Sequence, residues 1–141
     1  MSSLKEVIDP CPENIAVVGG GRWARIFIEE LCRLVPSAVR IKVCSPRNAE
    51  SMSAWIDERG LGQRVRVSSK WSQLEPVSLN AVIVVNAARD HEKAIERALT
   101  AGIPVLVEKP ITLTATASQR LAELAYHRSV GFASAHTFLF A

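Results

Sequence analysis

Apolar positions along this chain follow two rhythms that alternate from end to end. Short runs of consecutive β-branched and apolar residues occur at Ile15 to Val18, Val39 to Cys44, Val65 to Ser68, Ala81 to Val85, Val105 to Val107 and Gly131 to Ala135, and they predict strands. Runs such as "AVIVV" and "PVLV" are apolar at every position, which fits parallel strands covered on both faces. Between them the spacing turns helical. One helix places Ala24, Phe27, Ile28, Leu31 and Val35 on a single face, and another presents Ala94, Ile95, Ala98 and Leu99 before Gly102 ends it. A third runs from about Ala115 to His127, with Thr114 as N-cap and Ala117, Leu121, Leu124 and Ala125 turned inward. Strands linked by helices make right-handed crossovers, so the pattern predicts an α/β fold with a doubly wound, mainly parallel, Rossmann-like sheet.

Three glycines in a row interrupt this pattern between the first strand and the first helix. In "VVGGGRWARIF", Gly19, Gly21 and Ala24 stand at the spacing G-x-G-x-x-A. Gly19 lets the chain turn tightly, Gly21 admits a pyrophosphate against bare backbone, and Ala24 lets helix and strand approach closely. The amides that open the helix, at Arg22 and Trp23, then face the phosphates, where the helix dipole also favours negative charge. The same string arises in turns that are purely structural. Its place after a strand and before a helix is what points to a dinucleotide.

Composition narrows the field without changing that picture. The 141 residues are 48% hydrophobic and 22% charged, as in an ordinary globular domain. No apolar run approaches the roughly 20 residues a membrane span needs. Residues 1–13 read as an N-terminal leader without a secretory h-region, and residues 14–141 as one dinucleotide-binding domain, so a cytoplasmic setting is the expectation. Cys11, Cys32 and Cys44 are odd in number and widely spaced, which argues against a disulfide framework and against a metal site. A net charge of +3 is spread among acids rather than striped along one element, so nucleic acid is not the expected partner.

Charge does matter after the second strand. Arg40, Lys42 and Arg47 fall in a stretch without a carboxylate between Arg33 and Glu50. NAD-binding folds tend to place Asp or Glu there, accepting hydrogen bonds from the ribose 2′-hydroxyl. Here "CSPRN" offers Ser45 as a hydrogen-bond donor and Arg47 as a charged fork, which suits the 2′-phosphate of NADP, with NAD as the lesser expectation. One charge-assisted bond is worth about 1.5 to 3 kcal/mol. The competing reading makes Arg47 a solvated turn residue and Asn48 the cap of a following helix.

Two stretches carry a resemblance to a known family. "NAVIVVNAARDHEKAIERALTAGIPVLVEKPITL", Asn80 to Leu113, resembles the D-A-V-x-V-x-T-P-x-x-x-H and A-L-x-A-G-x-x-V-x-x-E-K-P region of the glucose-fructose oxidoreductase, inositol dehydrogenase and rhizopine-catabolism (Gfo/Idh/MocA) family, and "GGGRWA" resembles its glycine loop. The resemblance implies an NAD(P)-dependent oxidoreductase that moves hydride to or from a carbon bearing oxygen or nitrogen, on a sugar-, cyclitol- or imine-like small molecule. It implies that Lys109 stands beside the nicotinamide and the reacting group, that Glu108 lies near the nicotinamide ribose, and that the Lys109-Pro110 bond is often cis. His91 matches the family histidine and joins Lys109 in the candidate catalytic set, although the first turn of a helix also permits a capping or solvent-facing role. Two of these residues have a second reading too: Lys109 as a surface lysine before a proline turn, and Glu108 as the partner of a neighbouring base.

Other residues are read more modestly. His136 lies near the nicotinamide pocket or is a satisfied structural histidine, and His127 interacts with a helix C-terminus. Trp23 shapes the edge of the cofactor site, while Trp55 and Trp71 fill core or subunit contacts. The family's Thr-Pro is Asn86-Ala87 here, and Asn86 is the hydrogen-bonding candidate at that place. "TFLFA" at the end calls for cover by further chain or by a partner. The resemblance implies the cofactor half of a longer, homo-oligomeric enzyme whose substrate domain is absent, against the alternative of a stand-alone dinucleotide-binding or regulatory module.

Overall fold

A computed structural model of the chain describes residues 13–135; the expectations for Cys11, His136 and "TFLFA" lie outside them. Six strands, β1 (Asn14–Val18), β2 (Arg40–Cys44), β3 (Val65–Ser68), β4 (Ala81–Val84), β5 (Val105–Glu108) and β6 (Phe132–Ala135), form one sheet. Four helices cover it: α1 (Arg22–Leu34), α2 (Ala49–Glu58), α3 (Ala88–Thr100) and α4 (Ala115–Arg128). The order is β3-β2-β1-β4-β5-β6 and every neighbouring pair is parallel. That is the doubly wound Rossmann arrangement read from the alternating pattern.

Pleating divides the interior into two layers. Ile15, Val17, Ile41 and Val43 point to one face, where they bury Ala24 and Ile28 of α1 and Met52 and Ile56 of α2. Ala16, Val18, Val82 and Val84 point to the other, against Ile95 and Leu99 of α3 and Leu121 and Ala125 of α4. Thr114 caps α4 as expected, its hydroxyl accepting from the Ala117 amide at 3.1 Å. Gly102, with φ of +76°, follows α3.

Some expectations change. Asn48 does occupy the N-cap position of α2, yet its side chain makes no cap hydrogen bond. Trp55 is buried in the first layer, with the guanidiniums of Arg25 and Arg59 at 5.4 and 5.7 Å from its ring. Of the three cations in the carboxylate-free stretch, Lys42 is spent elsewhere: its Nζ donates to the Leu74 carbonyl at 3.0 Å and to Ser78 Oγ at 3.1 Å.

Candidate functional site

The sheet opens where β1 turns toward α1, between β2 on one side and β4 on the other. The parallel ladder runs one step past the strand ends, with the Gly19 amide donating to the Cys44 carbonyl and the Val85 amide to the Val18 carbonyl, each at 2.9 Å. These bonds fix the glycine loop over the carboxyl ends of three strands. Gly19 adopts φ of +148°, and a Cβ there would meet the Val85 carbonyl carbon and oxygen at 3.0 Å. Both the dihedral and the close approach require glycine.

The middle glycine has a role the spacing rule does not assign. A Cβ on Gly20 would fall 2.1 Å from Ser45 Oγ and 3.0 Å from the Asn48 Cβ. Ser45, 2% exposed, thus packs beneath the loop and sets its height above β2. Gly21 differs again: a Cβ there would meet nothing within 4 Å.

A cavity of about 520 Å³ lies in front of this loop. It is lined by the three glycines, Arg22 and Trp23; by Ser45 and Arg47 after β2; by Asn86 after β4; and by Asp90, Lys93 and Arg97 of α3. Trp23 is 56% exposed at its rim. Trp71, expected in core or subunit contacts, packs on the second layer and also reaches the cavity wall. Ala24 is fully buried and stands behind the wall, where it allows helix and strand to close up.

Three features show that the residues present fit a dinucleotide. The first turn of α1 holds no acidic residue and its N-cap Gly21 offers no side-chain acceptor, so the opening amides lack a partner within the helix. Gly21 leaves open space in front of them. Asn86 Oδ1 is buried without a hydrogen-bond partner, an acceptor awaiting a donor.

Glu108 and Lys109 lie one strand further along, at the end of β5, and do not line this cavity. The Lys109-Pro110 peptide is cis. The Glu108 carboxylate accepts the Lys109 amide at 3.2 Å. His91 links the two places. It is 1% exposed, which corrects the solvent-facing reading, because the first turn of α3 packs against the segment after β5. Its Nδ1 lies 2.7 Å from the Pro110 carbonyl and 3.2 Å from that of Ile111, and its Nε2 lies 2.9 Å from the Asn86 carbonyl. His91 therefore clamps the turn that carries Lys109 to the turn that carries Asn86.

Two thiols are found among the described residues. Burial pushes both Cys32 and Cys44 up, opposed at Cys44 by the Arg97 charge and at Cys32 by Arg64. Cys44 sits at the cavity floor.

The family model described as "Oxidoreductase family, NAD-binding Rossmann fold" (GFO_IDH_MocA) matches residues 13–136. The chain belongs to this family. Its members set the scale of what is present. An inositol 2-dehydrogenase of Azotobacter vinelandii is 27% identical over 124 residues, which cover 84% of this chain and 36% of that enzyme. Inositol 2-dehydrogenase 2 of Saccharopolyspora erythraea is 32% identical over 111 residues, 78% of this chain and 32% of that one. The structure of GenD2 from gentamicin A biosynthesis, solved in complex with NAD, superposes with a TM-score of 0.76 at 27% identity, covering 94% of this chain and 36% of GenD2. The chain thus spans about a third of the length of these Gfo/Idh/MocA relatives, and the part it spans is the NAD(P)-binding Rossmann domain. No described helix is long and apolar enough to cross a membrane.

Proposed function

We propose that this chain is the cofactor-binding part of an oxidoreductase that moves hydride between a nicotinamide dinucleotide, with NADP favoured, and a sugar-, cyclitol- or imine-like small molecule. The observation that carries the reading is the conjunction at the glycine loop: an uncapped helix start, open space at Gly21 and an unpartnered buried Asn86 Oδ1 on one cavity wall. Relatives named for inositol oxidation support the substrate class.

The nicotinamide, when bound, supplies or accepts the hydride. The chain's own residues bind and orient around it. The amides opening α1 hold the diphosphate, with the helix dipole behind them. Asn86 Oδ1 accepts a hydrogen bond from the nucleoside. Lys109, at the carboxyl end of β5, holds the reacting oxygen or nitrogen of the substrate and moves its proton, while Glu108 lies beside the nicotinamide ribose. His91, whose two ring nitrogens face backbone carbonyls, acts as a positioning residue that keeps the Lys109 turn at its distance from Asn86.

The NADP preference rests on Arg47, which is 64% exposed after β2 and lines the cavity. Solvent screening at that exposure places its worth at the low end for a charge-assisted bond, about tenfold in affinity. Calorimetry of NADPH and NADH binding to the 141-residue chain tests it. NADPH binds about tenfold more tightly, and Arg47→Ala erases most of that difference. Equal affinities in the parent chain refute the preference, and failure to bind either dinucleotide refutes the cofactor reading.

A further inference from the structure

The segment after β2 is free of acids in the sequence, yet the fold brings one to it. Arg47 Nη2 lies 3.7 Å from Asp90 Oδ2, and Arg89 Nε lies 3.9 Å from the same oxygen. Arg47 comes from the β2 side of the cavity and Asp90 from the first turn of α3, so the pair spans the opening between the two halves of the sheet. Asp90 is the one carboxylate among the described lining residues, against Arg22, Arg47, Lys93 and Arg97. On α3, Asp90, Lys93 and Arg97 follow one another at helical spacing along the cavity side. A wall meant only to attract a polyanion gains nothing from a carboxylate in its midst.

We propose that Asp90 is the residue that sets how far this site prefers a 2′-phosphorylated adenosine ribose over an unphosphorylated one. The inference rests on the reading that Arg47 meets that phosphate. A 2′-phosphate reaching Arg47 must either displace the Asp90 carboxylate or sit beside a like charge, and both cost affinity. An unphosphorylated ribose brings hydroxyl donors and no charge, so a nearby carboxylate does not oppose it and accepts from it. Asp90 therefore lowers NADP affinity selectively and keeps NAD usable, a balance that the local sequence around Arg47 does not reveal.

The test compares Asp90→Asn with the parent chain by calorimetry against NADPH and NADH. Asparagine keeps the size and removes the charge, and the position is 42% exposed, so the fold tolerates it. NADPH tightens about three- to tenfold while NADH stays within about twofold or weakens, widening the ratio. An unchanged ratio, or one that moves toward NADH, overturns the proposal. Arg47→Ala run in parallel separates the two levels. If it abolishes the NADPH preference while Asp90→Asn leaves the ratio untouched, only the role of Asp90 falls; if it leaves the preference intact, the reading of Arg47 falls and takes the proposal with it.

Discussion

Replacing Gly20 with alanine tests how the glycine loop is held over β2. The new Cβ would lie 2.1 Å from Ser45 Oγ, more than 1 Å inside ordinary contact. Rotating the hydroxyl away gives only partial relief, because the Ser45 Cβ is at 3.2 Å and the Asn48 Cβ at 3.0 Å. Gly20 is not among the positive-φ residues, so the cost is steric and not conformational. Overpacking of this kind costs about 1 to 3 kcal/mol. For a domain of this size that lowers Tm by about 3 to 9 °C in a thermal melt followed by circular dichroism. Ser45→Ala in the Gly20→Ala background returns part of the loss, since it removes the nearest atom and leaves the two carbon contacts. Gly21→Ala is the control: with open space around it, Tm stays within about 1 °C while dinucleotide affinity drops at least about tenfold. A Gly20→Ala variant as stable as the parent, or one that Ser45→Ala does not improve at all, refutes the idea that Ser45 sets the loop height.

Further predictions concern the strand ends. His91→Ala removes the buried ring that bridges the Asn86 and Pro110 turns, costing about 2 to 4 kcal/mol in a urea titration; a loss below about 0.5 kcal/mol would show that the clamp is idle. Lys109→Ala in the native gene product lowers turnover far more than it changes NADPH affinity, and retained turnover removes Lys109 from the mechanism. The raised Cys44 thiol stays protonated near neutrality, so its alkylation is slow and NADPH slows it further; fast labelling that ignores cofactor would contradict its place at the cavity floor. Because its folded pKa lies above the unfolded value, the associated stability is intact below the ordinary thiol range and is lost as pH rises toward the folded value. A stability gap between the parent chain and Cys44→Ala that widens in the parent's favour between about pH 7 and about pH 10 would contradict that sign.

The strands and three of the helices were legible because each carries a local rhythm: consecutive apolar residues in β4 and β5, and a single apolar face in α1 and α3. Helix α2 has no single apolar face to read, since its buried Met52, Trp55 and Ile56 are interleaved with polar residues, and Asn48 stands at its N-cap position without a side-chain bond. The roles of Gly19 and Ala24 follow from spacing, because one turn and one helix–strand contact decide them. Gly20 did not, because the group beneath it, Ser45, arrives from another strand. The same reason hid the pairing of Asp90 with Arg47, two residues far apart in the chain that only the sheet brings face to face. His91 was placed correctly in the first turn of a helix, but its burial depends on where the segment after β5 runs, which no local pattern encodes.

The two interior layers separated by the sheet have a consequence for how such a chain changes over time. The two buried clusters share no side chain, so a volume change in the α1–α2 layer falls first on that layer's own neighbours rather than on the α3–α4 layer. Each layer can drift within its own volume limits while the strand ends, and the loop they carry, stay where they are.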